Sequence, residues 1–141
     1  MPLKIIDYGT KEYQQMVDLR NEILRKPLGM QLEGADIAAD QHHILIGAFE
    51  EEKMLGCCML VRESNSVLLR QMAVRNQLQG KGIGRALMEF AENIARDIGY
   101  QEIAMHARAT STGFYEKMGY VTSGSEFTKL SISHVLMKKR I

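Results

Sequence analysis

Tryptophan is absent from this sequence, proline and cysteine occur twice each, and aromatic residues make up only 6% of its 141 positions. So little cysteine rules out a disulfide framework. The two present, Cys57 and Cys58, are neighbours in an apolar run, where consecutive strand side chains point to opposite faces and do not bridge. They read as small buried hydrophobes. No metal site is expected from them, because a metal wants more ligands at wider spacing. Excess charge is lacking too: 18 Lys and Arg stand against 17 Asp and Glu, for a formal net charge of +1. Neither nucleic acid nor an anionic membrane is therefore an expected partner. The run Lys138-Lys139-Arg140 is too short to act as a polybasic arm. No apolar run approaches the ~18 residues that cross a bilayer, and the first residues lack a basic-then-apolar signal pattern. A cytoplasmic location is the resulting expectation.

What the sequence does have is the ordinary balance of a globule, 45% hydrophobic and 25% charged residues. Its length suits one domain, residues 1–141, able to bury about two thirds of its unfolded surface. Leu3 to Asp7 reads as a first strand, with Thr10 as N-cap of a helix whose apolar stripe runs through Tyr13, Met16, Val17, Ile23 and Leu24 to about Arg25. Pro27 and Gly29 stop it. Arg20 lies on that stripe, which implies a salt bridge, a snorkelled side chain or a place in a substrate groove. A loop with a short helix at 34–39 follows. Its Glu33, Asp36 and nearby Asp40 form a solvated acidic face or an attraction for a cationic amine. His42 and His43 read as surface or edge histidines.

Three strand-like runs come next, Ile44 to Phe49, Met54 to Val61 and Val67 to Val74, joined by tight polar turns that make antiparallel neighbours. An amphipathic helix begins after Gly82, with Ile83, Leu87, Phe90, Ala91, Ile94 and Ile98 on one stripe and Gly99 as its left-handed cap. Ile103 to Ala107 is a further strand, parallel to 67–74 by the right-handed crossover rule. Ser111 can cap a two-turn helix to Met118, closed by Gly119. The last strands are read at Tyr120-Val121 and Leu130 to Met137, with Gly124 between them.

The stretch Gln79-Gly80-Lys81-Gly82-Ile83-Gly84 places three glycines at a helix mouth, where glycine is a poor helix former. Either a tight turn needs positive φ there, or bare N–H groups cradle a phosphate, helped by Lys81 and Arg85. It is no ATP-binding loop, because no Gly-Lys-Ser/Thr occurs. A dinucleotide fingerprint fails as well, since Leu87 stands where its third glycine belongs. Gln79, Gly82 and Gly84 do match the Gln/Arg-x-x-Gly-x-Gly/Ala coenzyme A loop of the GNAT superfamily of acyl-CoA N-acyltransferases. Gln71-Met72-Ala73-Val74 resembles that family's fourth strand, and Gly113-Phe114-Tyr115-Glu116-Lys117-Met118-Gly119-Tyr120 resembles its tyrosine-bearing segment. The resemblance is close over residues 66–120 and holds in outline elsewhere.

This resemblance implies a mixed, mostly antiparallel α/β sheet of six to seven strands, flanked by about four helices and splayed between two central parallel strands. It implies acetyl transfer from acetyl-CoA to a primary amine through a tetrahedral intermediate. A coenzyme A-binding sensor without catalysis is the alternative reading. The diphosphate would take the backbone of Gln79, Gly80, Lys81, Gly82, Ile83, Gly84 and Arg85, and the pantetheine arm would pair with Met72, Ala73 and Val74. Val74 N–H would meet the oxyanion. Tyr115 would protonate the departing thiolate. Arg108 stands where relatives often carry an asparagine on the pantetheine, and Phe114 is counted beside it with the cofactor contacts, although its step of four to Met118 also marks a packing face. Relatives often place a glutamate on the fourth strand, but no acid occurs from Ser66 to Arg75, so the general base stays open among His134, His106 and Glu126. The expected acceptor is a small-molecule or protein amine, and a homodimer is a further expectation.

Overall fold

The computed structural model describes residues 1–141. Seven strands form one sheet: β1 (Leu3–Ile6), β2 (Ile44–Glu50), β3 (Lys53–Arg62), β4 (Val67–Val74), β5 (Glu102–Arg108), β6 (Val121–Lys129) and β7 (Ile132–Arg140). Their order across the sheet is β1-β2-β3-β4-β5-β7-β6. Every neighbouring pair is antiparallel except β4 and β5, which run parallel as the crossover rule requires. Four helices pack around it: α1 (Lys11–Arg20), α2 (Gly34–Ala39), α3 (Ile83–Asp97) and α4 (Thr112–Glu116).

Strand alternation sorts the core into two layers. Ile46, Cys58, Leu69, Met105 and Val135 face α3, against Leu87, Met88 and Ala91. Leu45, Cys57 and Met59 face the other way, against Tyr13, Met16 and Val17 of α1. Adjacent Cys57 and Cys58 thus lie in different layers, both buried and free. Burial pushes the Cys57 thiol up to about 12 and raises Cys58 well above the ordinary range.

Thr10 caps α1, its hydroxyl oxygen accepting from the Tyr13 amide at 3.2 Å. The helix then widens into a π turn over Asn21–Arg25 and tightens into a 3-10 turn over Lys26–Leu28, where Pro27 and Gly29 end it. The uniform helix expected to Arg25 is therefore corrected over its last five residues. Arg20 is buried and ion-paired with Asp40 at 2.6 Å, and the Tyr13 hydroxyl donates to the same carboxylate at 2.7 Å. Of the readings offered for Arg20, the salt bridge is the one observed.

In α3 the buried face is Ile83, Leu87, Met88, Ala91, Glu92 and Ala95, while Ile98 is exposed. The stripe is wider than its expected line: Phe90 and Ile94 pack partly buried against the core, and Met88, Ala95 and Glu92 join the buried face, Glu92 because it has partners inside. Its carboxylate accepts from the Tyr120 hydroxyl at 2.8 Å and from Lys139 Nζ at 3.0 Å. The expected strands at 120–121 and 130–137 are corrected as well. β6 runs nine residues and bulges around Gly124, and Leu130 and Ser131 form a two-residue turn with φ of 53° and 63°. β6 is exposed along nearly its whole length, so no hydrophobic alternation marked it in the sequence. α4 ends at Glu116, short of Met118, and Gly119 closes the segment at φ 95° as expected.

Candidate active site

β4 and β5 pair only through Val67↔Ile103, Leu68↔Ala104 and Leu69↔Met105. Beyond Leu69 the two strands part, and the cause lies in β4. Opposite Cys58 the strand carries two residues, Gln71 and Met72, and Gln71 adopts φ 57°. A bulge with a left-handed non-glycine residue costs about 1–3 kcal/mol and bends the strand away from its neighbour. The Gln71 side-chain oxygen is left buried without a partner.

The bulge decides which amides face the gap. Arg75 N–H donates to Leu55 O at 3.1 Å across β3, and successive residues of a strand aim their peptide groups at opposite edges. Val74 and Met72 therefore turn theirs to the open side. Ala73 pairs with Cys57 and spends its amide in the sheet, which corrects its expected place on the cofactor edge. The Val74 carbonyl already accepts from the Gln79 side chain at 3.1 Å.

At the end of β4 the chain makes a 3-10 turn over Asn76–Leu78 and enters α3 through Gly80 and Gly82, at φ 81° and 87°. A side chain at Gly82 would meet no neighbouring atom, so backbone conformation rather than crowding demands glycine there. No side chain caps α3, and its first helical bond runs from Ala86 N–H to Gly82 O. The preceding amides point out of the loop with the positive end of the helix dipole. Lys81 and Arg85 flank them, exposed, with Arg85 on Glu89 at 3.1 Å. The Phe114 ring reaches this mouth, 3.3 Å from where a Cβ on Gly84 would sit, and packs edge-on to Tyr115 at 4.9 Å.

The gap opens on the α1 side of the sheet into a cleft of about 350 Å³. Tyr115, His134, His106 and Arg108 line it, together with the unpartnered Gln71. Tyr115 is buried, and desolvation, with Cys58 nearby, pushes its hydroxyl up to about 12. His134 is also buried. Its Nδ1 lies 2.8 Å from the Ile132 carbonyl, which can only accept, so Nδ1 carries a proton and Nε2 is the ring nitrogen left for the cleft. His106 is held below the ordinary imidazole range by partial burial, then by Lys129 and Arg70. Glu126 sits on the β6 bulge, bonded to Ser133 at 3.2 Å, and does not line the cleft.

The acids Glu33 and Asp36 do line the cleft, whereas Asp40 is shut away on Arg20. Reading the sequence missed Arg25, Arg70 and Lys129, which come to the cleft from three separate elements. No linear signal joins them; only sheet order does.

A mixed sheet parted between two parallel strands, with an uncapped glycine helix mouth beside the gap, defines the GNAT class of fold. The family described as "Acetyltransferase (GNAT) domain" matches residues 11–141. The chain is 29% identical over 101 residues to a Bacillus subtilis (strain 168) protein to which acetyltransferase activity is ascribed, covering 72% of this chain and 67% of that one. The fold of an acyl-CoA N-acyltransferase from Pseudomonas aeruginosa matches with a TM-score of 0.83 at 19% identity, over 98% of both chains. An aminoglycoside 6′-N-acetyltransferase complexed with coenzyme A matches at 0.82 and 15%, over 99% of this chain and 97% of that one. At these identities the two structures establish likeness of fold. The family match carries the identification: this chain belongs to the GNAT acetyltransferase family.

Proposed function

We propose that the protein is an N-acetyltransferase that moves the acetyl group of acetyl-CoA to an amine held in the cleft. The parting of β4 and β5 beyond Leu69, beside the uncapped mouth of α3, is the observation that carries this reading. The amides from Gln79 to Arg85 hold the diphosphate through the helix dipole. Met72 and Val74 offer their free peptide edge to the pantetheine arm as a neighbouring strand would. The amine nitrogen attacks the thioester carbon, and the oxyanion that forms accepts from Val74 N–H. His134 Nε2 takes the amine proton, the C–S bond breaks, and the Tyr115 hydroxyl gives its proton to the thiolate. Phe114 borders the path of the cofactor at the α3 mouth.

Calorimetry with acetyl-CoA, followed by mass spectrometry of a panel of amines, tests the reading. Binding of acetyl-CoA and a product heavier by one acetyl group are expected. Binding of ATP or NAD without coenzyme A, or binding of acetyl-CoA with no acetylated product from any amine, would overturn it.

A further inference from the structure

The cleft is cationic on its sheet side. Arg70 on β4 and Arg108 on β5 alternate with Leu69 and Ala107, which face α3, so both guanidinium groups stand on the opposite sheet face, toward α1. Lys129 reaches the cleft from the β6–β7 hairpin, its Nζ 3.5 Å from His106 Nδ1, and Arg25 comes from the π turn after α1. All four are half-buried, and none has a carboxylate partner in an ion pair. The only acids lining the cleft, Glu33 and Asp36, are exposed on the α2 wall. Partial burial and the repulsion of neighbouring cations disfavour the charged form of two of them, Lys129 and Arg25. Lys129 is lowered by burial, then by Arg70 and Arg25; Arg25 is lowered by burial, then by Arg20, with Asp36 opposing and Arg70 and Arg108 adding smaller contributions.

In the reading above the cofactor's diphosphate does not supply the missing charge. It belongs to the amides at the α3 mouth, on the other face of the sheet, and Lys81 and Arg85 stand there. A cluster of half-buried, unpaired cations facing an open cleft is a site for a second anion, because pairing restores what desolvation took away.

We propose that the acceptor is an amine bearing its own anionic group, a carboxylate or a phosphate, which Arg70, Arg108, Lys129 and Arg25 seat while the amine is turned toward the thioester. This inference rests on the acetyltransferase reading above. The exposed Glu33 and Asp36 attract the ammonium end on its way in, and the unpartnered Gln71 oxygen offers it a hydrogen bond beside the gap. Such an acceptor is held at both ends. A polyamine would meet repulsion along the sheet side.

The test compares matched amines on the full chain: O-phosphoethanolamine against ethanolamine, and 4-aminobutyrate against 4-aminobutanamide. Binding is titrated by calorimetry on protein saturated with coenzyme A, and kcat/KM is measured with acetyl-CoA. At least one anionic member should exceed its neutral partner by tenfold or more in both, and the two pairs tell phosphate from carboxylate. Arg70→Gln and, separately, Lys129→Gln should remove most of that preference through KM, with kcat little changed and acetyl-CoA affinity intact; a thermal melt checks each variant for folding. Neutral or cationic amines handled equally well would overturn the inference. So would failure of both anions to bind at millimolar concentration, or a preference that survives both substitutions. Loss of acetyl-CoA binding by the unaltered protein would instead strike the acetyltransferase reading, so the two failures are distinguishable.

Discussion

Burial fixes the charge state of Tyr115 over a wide pH range. In water a phenol titrates near 10, but desolvation raises this hydroxyl to about 12, so the protonated donor persists through the whole neutral and mildly alkaline range. In the proposed reaction the thiolate leaving group, near 8.5, would take its proton from a group that has not itself ionised. Tyr115→Phe should lower kcat about a hundredfold while leaving acetyl-CoA affinity unchanged, since only the proton donor is lost. In the unaltered enzyme kcat should show no fall attributable to this tyrosine below about pH 11. A descending limb near pH 10 that disappears in Tyr115→Phe would contradict the burial argument.

At the scale of elements, two local departures from regular structure make the site, one in a strand and one at a helix end. The bulge at Gln71 ends the β4–β5 pairing, and the uncapped, glycine-built entry to α3 leaves its first amides free. Gly82 holds φ 87°, a conformation that costs an ordinary residue about 1–2 kcal/mol. Gly82→Leu should therefore lower stability by that amount and also interpose a side chain between anion and amides. Acetyl-CoA affinity, read by calorimetry, should fall tenfold or more. Unchanged affinity would mean that the diphosphate binds elsewhere. The glycines were legible in the sequence because their spacing breaks a strong helical period. The bulge was not, because Arg70-Gln71-Met72 reads as ordinary strand and its left-handed residue is no glycine.

At the scale of the molecule, buried ionic contacts tie distant segments together. Asp40, after α2, accepts from Arg20 at the end of α1 and from Tyr13 two turns earlier on the same face of that helix, while Glu92 joins α3 to Tyr120 and to Lys139 of β7. Such pairs contribute little net stability when intact but are costly to break, because the abandoned charge stays buried. Asp40→Ala should destabilise the fold by about 3–5 kcal/mol in urea unfolding, with Arg20 left alone in the interior. A loss below 1 kcal/mol would mean that water reaches Arg20.

The sequence by itself determined the first five strands, the long helix and the glycine mouth, because hydrophobic period and turn chemistry are local and need no partner to be read, while the tyrosine segment was legible by its resemblance to the family's. Helix ends and the exposed edge hairpin escaped it, since π widening and an unalternating strand leave no period. Only the tertiary structure decided that Asp40 is structural, that Ala73 faces into the sheet, and that Arg25, Arg70, Arg108 and Lys129 meet over one cleft. Those facts depend on strand order and on which face each residue takes after a bulge. Charges scattered over four elements become a site only when the sheet brings them within reach of one another.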